Sequence, residues 1–182
     1  MEYYKEYILK NGNKLIVRSA EIKDANGFAM MSNTTHTETD FLSYSSSEIS
    51  YLGPEEIPFI QKMKEGFNTV LLIAEYDGII VGNANLSPQK NYLWRRHIAS
   101  FGISIMKDYW GLGIAGKLML SIIECAKNMR YEQIRLSIVS ENTRALDLYK
   151  SFDFEICGTI KDSYKFSKTH YADEYIMTKK IK

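Results

Sequence analysis

The segment ISIMKDYWGLGIAGKLML, Ile103 to Leu120, constrains the fold more than any other stretch: a strand-like run passes through a bulky polar corner into three glycines and then an apolar-periodic helix. Gly111, Gly113 and Gly116 permit a sharp backbone turn and leave several N–H groups unpaired at the helix start, where the helix dipole adds partial positive charge. Such a corner cradles phosphate oxygens. A phosphorylated cofactor is therefore expected to dock here.

The flanking pattern places this corner in a mixed α/β chain. Lys14 to Arg18 reads as a first strand and Glu21 to about Asn33 as a helix, with Ile22, Ala25, Phe28, Ala29 and Met31 on related faces. The Ser/Thr-rich stretch that follows carries little pattern, and a short helix is expected over Glu55 to Glu65 with Pro58 near its first turn. VLLIAEYDGIIVGNANL gives two apolar strands joined at Tyr76-Asp77-Gly78, an antiparallel hairpin signal. His97 to Met106 is a further strand, and from Ile114 the positions Leu118, Ile122 and Ala126 open a wide helical stripe to about Arg130. Ile134 to Val139 is a strand, Asn142 to Ser151 a helix opened by a residue suited to N-capping, and Phe154 to Ile160 and Asp173 to Lys180 are the last strands. The order is strand, two helices, three strands, helix, strand, helix, two strands around one sheet.

Composition narrows the function classes. With 182 residues, 45% of them hydrophobic, and no break in composition, one domain over 1–182 is expected. The 23 basic and 22 acidic side chains leave a formal charge of +1, so no global field draws the chain to nucleic acid or to an anionic membrane. Cys125 and Cys157 match neither a metal site nor a disulfide scaffold, which fits a reducing cytoplasm; no metal is expected. No apolar run approaches the roughly 20 residues of a membrane span, and the polar start does not read as a secretory signal.

GLGIAG also matches the dinucleotide fingerprint G-x-G-x-x-G, with a strand before it and Glu141 beyond it. Against a dinucleotide oxidoreductase, Lys107 to Trp110 separate the strand from the first glycine, and too little chain follows for the alternating β-α-β series. A Walker loop is absent, since no Gly-Lys-Ser/Thr occurs. The glycines could also serve only tight packing.

NTRALDLYKSFDFEICG, Asn142 to Gly158, taken with YWGLGIAGKLML, resembles the two signature segments of the GNAT superfamily of acetyl-CoA-dependent N-acetyltransferases. Trp110, Gly111, Leu112, Gly113, Ile114 and Ala115 fill the pattern Q/R-x-x-G-x-G/A; Asn142, Ala145, Leu148 and Tyr149 fill N-x-x-A-x-x-L-Y. Trp110 departs from the usual Gln or Arg, and Asp153 from the glycine before Phe154. The resemblance spans roughly Lys14 to Lys180 and implies a central, mostly antiparallel sheet of six to seven strands flanked by about four helices.

It also implies the site. The strand Phe101 to Met106 is expected to pair its backbone with the pantetheine arm around Ile103, Ser104 and Ile105. Trp110, Gly111, Leu112, Gly113, Ile114, Ala115 and Gly116 form the diphosphate loop, Lys117 or Lys150 meets the 3′-phosphate, and Asn142 contacts the pantetheine amide while capping its helix. Tyr149 stands near the sulfur as the catalytic acid: a phenol of pKa about 10 can protonate a thiolate whose pKa is about 8.5.

The acceptor amine, with pKa about 10.4, must lose a proton at a cost of about 4 to 5 kcal/mol at pH 7. No carboxylate lies between Asp77 and Asp108, so the proton acceptor is His97, a water held by strand carbonyls with Ser100 or Ser104, or one of Glu38, Asp40, Asp173 and Glu174. The resemblance places the acceptor pocket on THTETDFLSY and KTHYADEY, with Glu38, Asp40, Phe41, Tyr171 and Asp173 as candidate substrate-binding residues. Those carboxylates suit a cationic amine of a small molecule or peptide, or they form a solvated loop face. The expected reaction is direct acetyl transfer from acetyl-CoA in a ternary complex. The alternative from another class is an idle CoA-binding regulatory module. The resemblance leaves a homodimer open.

Overall fold

The computed structural model describes residues 2–42, 52–89 and 93–181. In chain order these form β1 (Tyr4–Ile8), β2 (Lys14–Ser19), α1 (Ala25–Glu38), α2 (Gly53–Glu65), β3 (Val70–Tyr76), β4 (Ile79–Pro88), β5 (Ile98–Ile105), α3 (Ile114–Asn128), β6 (Gln133–Val139), α4 (Thr143–Ser151), β7 (Glu155–Lys165) and β8 (Tyr171–Lys180). The strands make one sheet in the order β1-β2-β3-β4-β5-β6-β8-β7. Every neighbouring pair is antiparallel except β5 with β6.

Period-two alternation in β3 separates two cores. Leu71 and Ile73 join Phe28, Met31, Ile60 and Met63 on the face covered by α1 and α2. Val70, Leu72 and Ala74 join Leu118, Met119, Ile122 and Cys125 on the α3 face. A strand covered on both faces reads as an unbroken apolar run, which is why VLLIA shows so plainly in the sequence. At the β3–β4 turn Asp77 and Gly78 both take positive φ, 50° and 77°, as a tight two-residue hairpin requires.

The mixed α/β class and four helices agree with expectation, and the sheet has eight strands among the described residues rather than six or seven. The additional one is β1, an edge strand. Its residues are nearly all exposed, so it carries no apolar alternation. Contacts to α3 hold this segment instead: the Tyr3 hydroxyl donates to Glu124 at 2.9 Å, and the Tyr7 and Ser121 hydroxyls lie 3.0 Å apart.

α1 also starts and ends later than the pattern Glu21 to Asn33 suggests. A short 3-10 turn, Ile22–Asp24, precedes it. Arg18 fixes that entry by holding both carboxylate oxygens of the buried Asp24, at 2.7 and 2.8 Å. At the other end the Thr34, Thr35 and Thr37 hydroxyls donate to the carbonyls of Met30, Ser32 and Thr34, so a threonine-rich tail of low helix propensity stays helical to Glu38. This extension carries Glu38 to β5. No helix among the described residues is long and apolar enough to cross a membrane.

Candidate active site

The site begins where two strands part. β5 and β6 pair in parallel only at Ile98 with Gln133, Ala99 with Ile134 and Ser100 with Arg135. Beyond Ser100, β5 stays on β4 as far as Ile105, whereas β6 continues along β8. The Met106 N–H donates to the Val81 carbonyl at 2.9 Å, which turns the polar groups of Gly102 and Ser104 toward β4 and those of Phe101, Ile103 and Ile105 toward the gap. The Trp110 indole N–H takes the Ile105 carbonyl at 2.8 Å. Ile103 N–H and C=O and Ile105 N–H are left on an edge that no strand covers, ready for an amide-bearing chain to add as a strand would.

A cavity of about 680 Å³ runs along this edge. At one end Gly111 and Gly113 adopt φ of 82° and 85°, and a Cβ built on either would meet nothing within 4 Å. Left-handed backbone, not crowding, requires glycine at both, and the open space above leaves the main chain approachable. α3 starts directly after Gly113, and its first-turn N–H groups at Ile114, Ala115 and Gly116 lack helical acceptors. The first turn holds no acidic residue. A bare cradle of amides at a dipole-positive helix end fits a diphosphate. Across from it, α4 contributes Asn142, Arg144, Leu148 and Phe152. The Asn142 side-chain oxygen accepts the Ala145 N–H at 3.2 Å, so it caps α4 as its residue type suggests and keeps its amide hydrogens for a ligand.

Tyr149 lies deeper. It is 7% exposed, packed edge-on to Phe101 at 6.0 Å and against Phe154 at 5.8 Å, and it does not line the cavity. Phe101 is the first residue of the uncovered edge, so the phenol stands at the closed apex of the fork. Among the described residues its hydroxyl has no hydrogen-bond partner. Burial pushes its pKa well above the ordinary phenol value, keeping it protonated and able to donate.

Another wall of the cavity is built by the end of α1 and the residues after it: Thr35, Glu38, Thr39, Phe41 and Leu42. The Glu38 carboxylate accepts the Lys107 N–H at 2.7 Å through one oxygen, which fastens α1 to the corner beyond β5. Phe41 meets Phe166 of the β7–β8 tip at 6.2 Å, and Phe166 lies 5.2 Å from His170. His170 in turn pairs with Glu141, which lines the cavity, at 2.9 Å.

Of the residues expected from sequence, the structure brings Ile103, Ser104, Ile105, Trp110, Gly111, Gly113, Ile114, Ala115, Gly116, Asn142, Glu38 and Phe41 to this one cavity. It places others elsewhere. Leu112 packs on the α3-side core, and the Lys117 ammonium sits over the Tyr7 ring at 5.1 Å because its helix position faces β1. Lys150 and Asp40 are exposed and outside the lining. Asp173 is engaged by Lys161 at 2.7 Å, Glu174 accepts the Ser163 hydroxyl, and Tyr171 carries Lys165 over its ring. His97 is exposed, and eight residues of strand, about 26 Å, separate it from Ile105. The segment 43–51, including the last two residues of THTETDFLSY, lies outside the described residues. Sequence reasoning missed Arg144, and weighed Glu141 only for the dinucleotide reading. Both flank the capping Asn142, and their proximity to that signature was the available signal.

Neither cysteine reaches the cavity. Cys125 is fully buried on α3, and burial pushes its thiol up to about 12; exposed Cys157 sits on β7 with its sulfur toward the Ile176 carbonyl.

A sheet split at one strand pair, with a glycine cradle at the mouth of the split and a long cavity along it, defines the acetyltransferase class of fold and site. The chain belongs to the acetyltransferase (GNAT) family, whose pattern matches residues 34–154. It is 35% identical over 109 residues to the L-amino acid N-acetyltransferase AaaT of Escherichia coli K12, a match spanning 59% of this chain and 66% of that relative. It is 30% identical over 89 residues to the N-alpha-acetyltransferase 50 of Danio rerio, spanning 48% of this chain and 51% of that one. Among solved structures, a GNAT-family acetyltransferase from Streptococcus pneumoniae superposes with TM-score 0.85 at 30% identity, covering 92% of this chain and 99% of the other. The fold is shared with yncA of Salmonella typhimurium, solved with acetyl-CoA, at TM-score 0.82 and 16% identity, over 92% and 94% of the two chains.

Proposed function

We propose that this chain transfers an acetyl group from acetyl-CoA to a primary amine of a small molecule or peptide, by direct attack in a ternary complex, acting as one domain in the cytoplasm. The single observation that carries this reading is the uncovered β5 edge leading into the glycine cradle. Family membership supports it, as does the absence of a cysteine from the cavity lining, which removes the usual nucleophile of a covalent acetyl-enzyme.

Acetyl-CoA supplies an activated thioester and a thiolate leaving group. The rest falls to this chain. Ile103 offers its N–H and C=O and Ile105 its N–H to the pantetheine amides, and the Asn142 amide adds a donor to a carbonyl of the same arm. The N–H groups around Gly111, Gly113 and α3's first turn hold the diphosphate. Tyr149, protonated because it is buried, stands outside the cavity lining beside Phe101, and it is the donor for the departing sulfur once the thioester is seated at the apex of the fork.

Glu38 lines the cavity and keeps one carboxylate oxygen clear of the Lys107 N–H; because that bond sets it beyond Ile105, four residues of strand or about 13 Å from Phe101, it takes the ammonium proton through a relay of waters along the cavity. Protons balance: the ammonium sheds one proton toward Glu38 and solvent before attack and a second as the C–N bond forms, and that second proton replaces the one Tyr149 gives to the sulfur. Of the other carboxylates weighed from sequence, Asp40, Asp173 and Glu174 lie outside the lining.

The test has two stages. Thermal-shift measurements should give a higher Tm with CoA and no change with NAD, since a ligand of the folded state raises apparent stability. Thiol release from acetyl-CoA should then depend on a member of an amine panel. A CoA shift with no thiol release for any amine would favour the idle CoA-binding module; no CoA shift would end the reading.

A further inference from the structure

Two cavity residues have no part in the transfer chemistry above, yet they are arranged together. The Trp110 ring is fixed by its hydrogen bond to the Ile105 carbonyl, and the Arg144 guanidinium carbon lies 4.3 Å from the ring centroid. Both border the cavity beside Gly111 and Gly113. Arg144 has no other partner among the described residues, so its five donors are unspent.

Its position is locally unfavourable. Arg144 occupies the first turn of α4, which carries the positive end of the helix dipole and holds no acidic side chain of its own, Glu141 standing just before the cap. A cation held there on an indole face, at the edge of a phosphate cradle, is stabilised once an anion sits between the starts of α3 and α4. Stacking also fixes the guanidinium plane, which lessens the ordering required when its fork engages phosphate oxygens.

We infer that Arg144 is the side chain that pairs with the diphosphate of coenzyme A in this chain, and that Trp110 is the residue that positions it. The inference rests on the coenzyme A reading above and adds to it the source of positive charge: a side chain of α4 joins the main-chain amides of the corner. Lys117, the lysine nearest the cradle in sequence, is turned to Tyr7 instead.

Intrinsic fluorescence tests it without reference to turnover. The chain has two tryptophans, and Trp94 is 86% exposed and outside the cavity lining, so a Trp94→Phe background leaves Trp110 as the sole indole reporter. In that background CoA and dephospho-CoA, which both carry the diphosphate, should change the emission. Arg144→Ala should weaken both ligands by the same factor, about tenfold or more, and flatten the salt dependence of their Kd. Arg144→Lys should recover only part of the loss, because the fork is gone.

Trp110→Phe, which retains a ring, should fall between wild type and Trp110→Leu in CoA affinity measured by calorimetry. Adding Arg144→Ala to Trp110→Leu should cost little more, since the two act as a unit. An unchanged Kd in Arg144→Ala overturns the inference, and so does a loss confined to CoA with dephospho-CoA unaffected, which would assign Arg144 to the 3′-phosphate. Failure of the Trp94→Phe protein itself to bind CoA would instead remove the underlying reading, before any Arg144 variant is made.

Discussion

At the glycine end of the cavity the ligand-facing groups belong to the main chain: the Ile103 and Ile105 edge, the corner at Gly111 and Gly113, and the first turn of α3. At the α1 end they are side chains: Thr35, Glu38 and Phe41, fastened through Phe166, His170 and Glu141. The difference decides what each end tolerates. An amide cradle accepts Trp110 at a position where the family pattern carries Gln or Arg, because N–H groups are present whatever the side chain. A pocket of side chains changes its chemistry with each substitution, so on the function proposed above it is the part that would set the acceptor amine. The glycine end should thus govern affinity for acetyl-CoA and the α1 end the KM for the amine. Variants that cross this division would break the comparison.

Tyr149 packs on Phe101 at the closed apex of the fork, outside the cavity lining, and its removal should have the largest effect. Tyr149→Phe should lower kcat by about a hundredfold, in the usual range for a lost proton donor, with acetyl-CoA affinity by calorimetry within twofold. Since burial raises the phenol pKa, any alkaline fall in rate due to its ionisation should begin above pH 10. The linkage has a definite sign: a raised folded pKa gives stability that is complete below about pH 10 and is lost as pH rises through the folded value. Melting in alkaline buffers should be less pH-dependent in Tyr149→Phe.

A smaller change should follow from Gly113→Ala, which forces an L-residue into a left-handed φ at a cost of about 1 to 2 kcal/mol. CoA affinity should fall about tenfold while the KM for the amine stays the same; a shift in amine KM alone would contradict the division. Glu38→Gln keeps an acceptor for the Lys107 N–H but loses the base. It should lower kcat by about tenfold and leave the Kd for CoA unchanged, as read by stopped-flow thiol release and titration calorimetry.

The smallest effect belongs to His170→Ala. It removes an exposed hydrogen bond to Glu141 worth no more than about 1 kcal/mol. Its signature should be a severalfold rise in amine KM with almost no change in Tm, whereas a fall in CoA affinity would show that the hairpin tip also serves the glycine end.

Legibility from sequence divides along the same line. The corner could be read because positive φ selects glycine, and capping could be read at Asn142 because an N-cap is a local hydrogen bond. Arg144 went unnoticed although it lies in the same signature, since an arginine on a helix start announces no direction; only the stacked Trp110 shows which way it faces. Lys117 was expected at the cofactor for its place next to the glycines, yet one helical turn carries its head to Tyr7. On the acceptor side, Glu38 and Asp173 looked equivalent as loop carboxylates. One lines the cavity, and the other is engaged by Lys161.

The sequence alone determined what depends on near neighbours: the doubly apolar β3, the Asp77-Gly78 turn, the α3 stripe and the glycine corner, each set by a side-chain period or a backbone φ. Tertiary structure decided the fork, the added edge strand β1 and the length of α1. Those depend on pairing between distant segments. β6 leaves β5 because β8, some forty residues later, offers it a longer antiparallel register, and no local period encodes which of two partners a strand will follow.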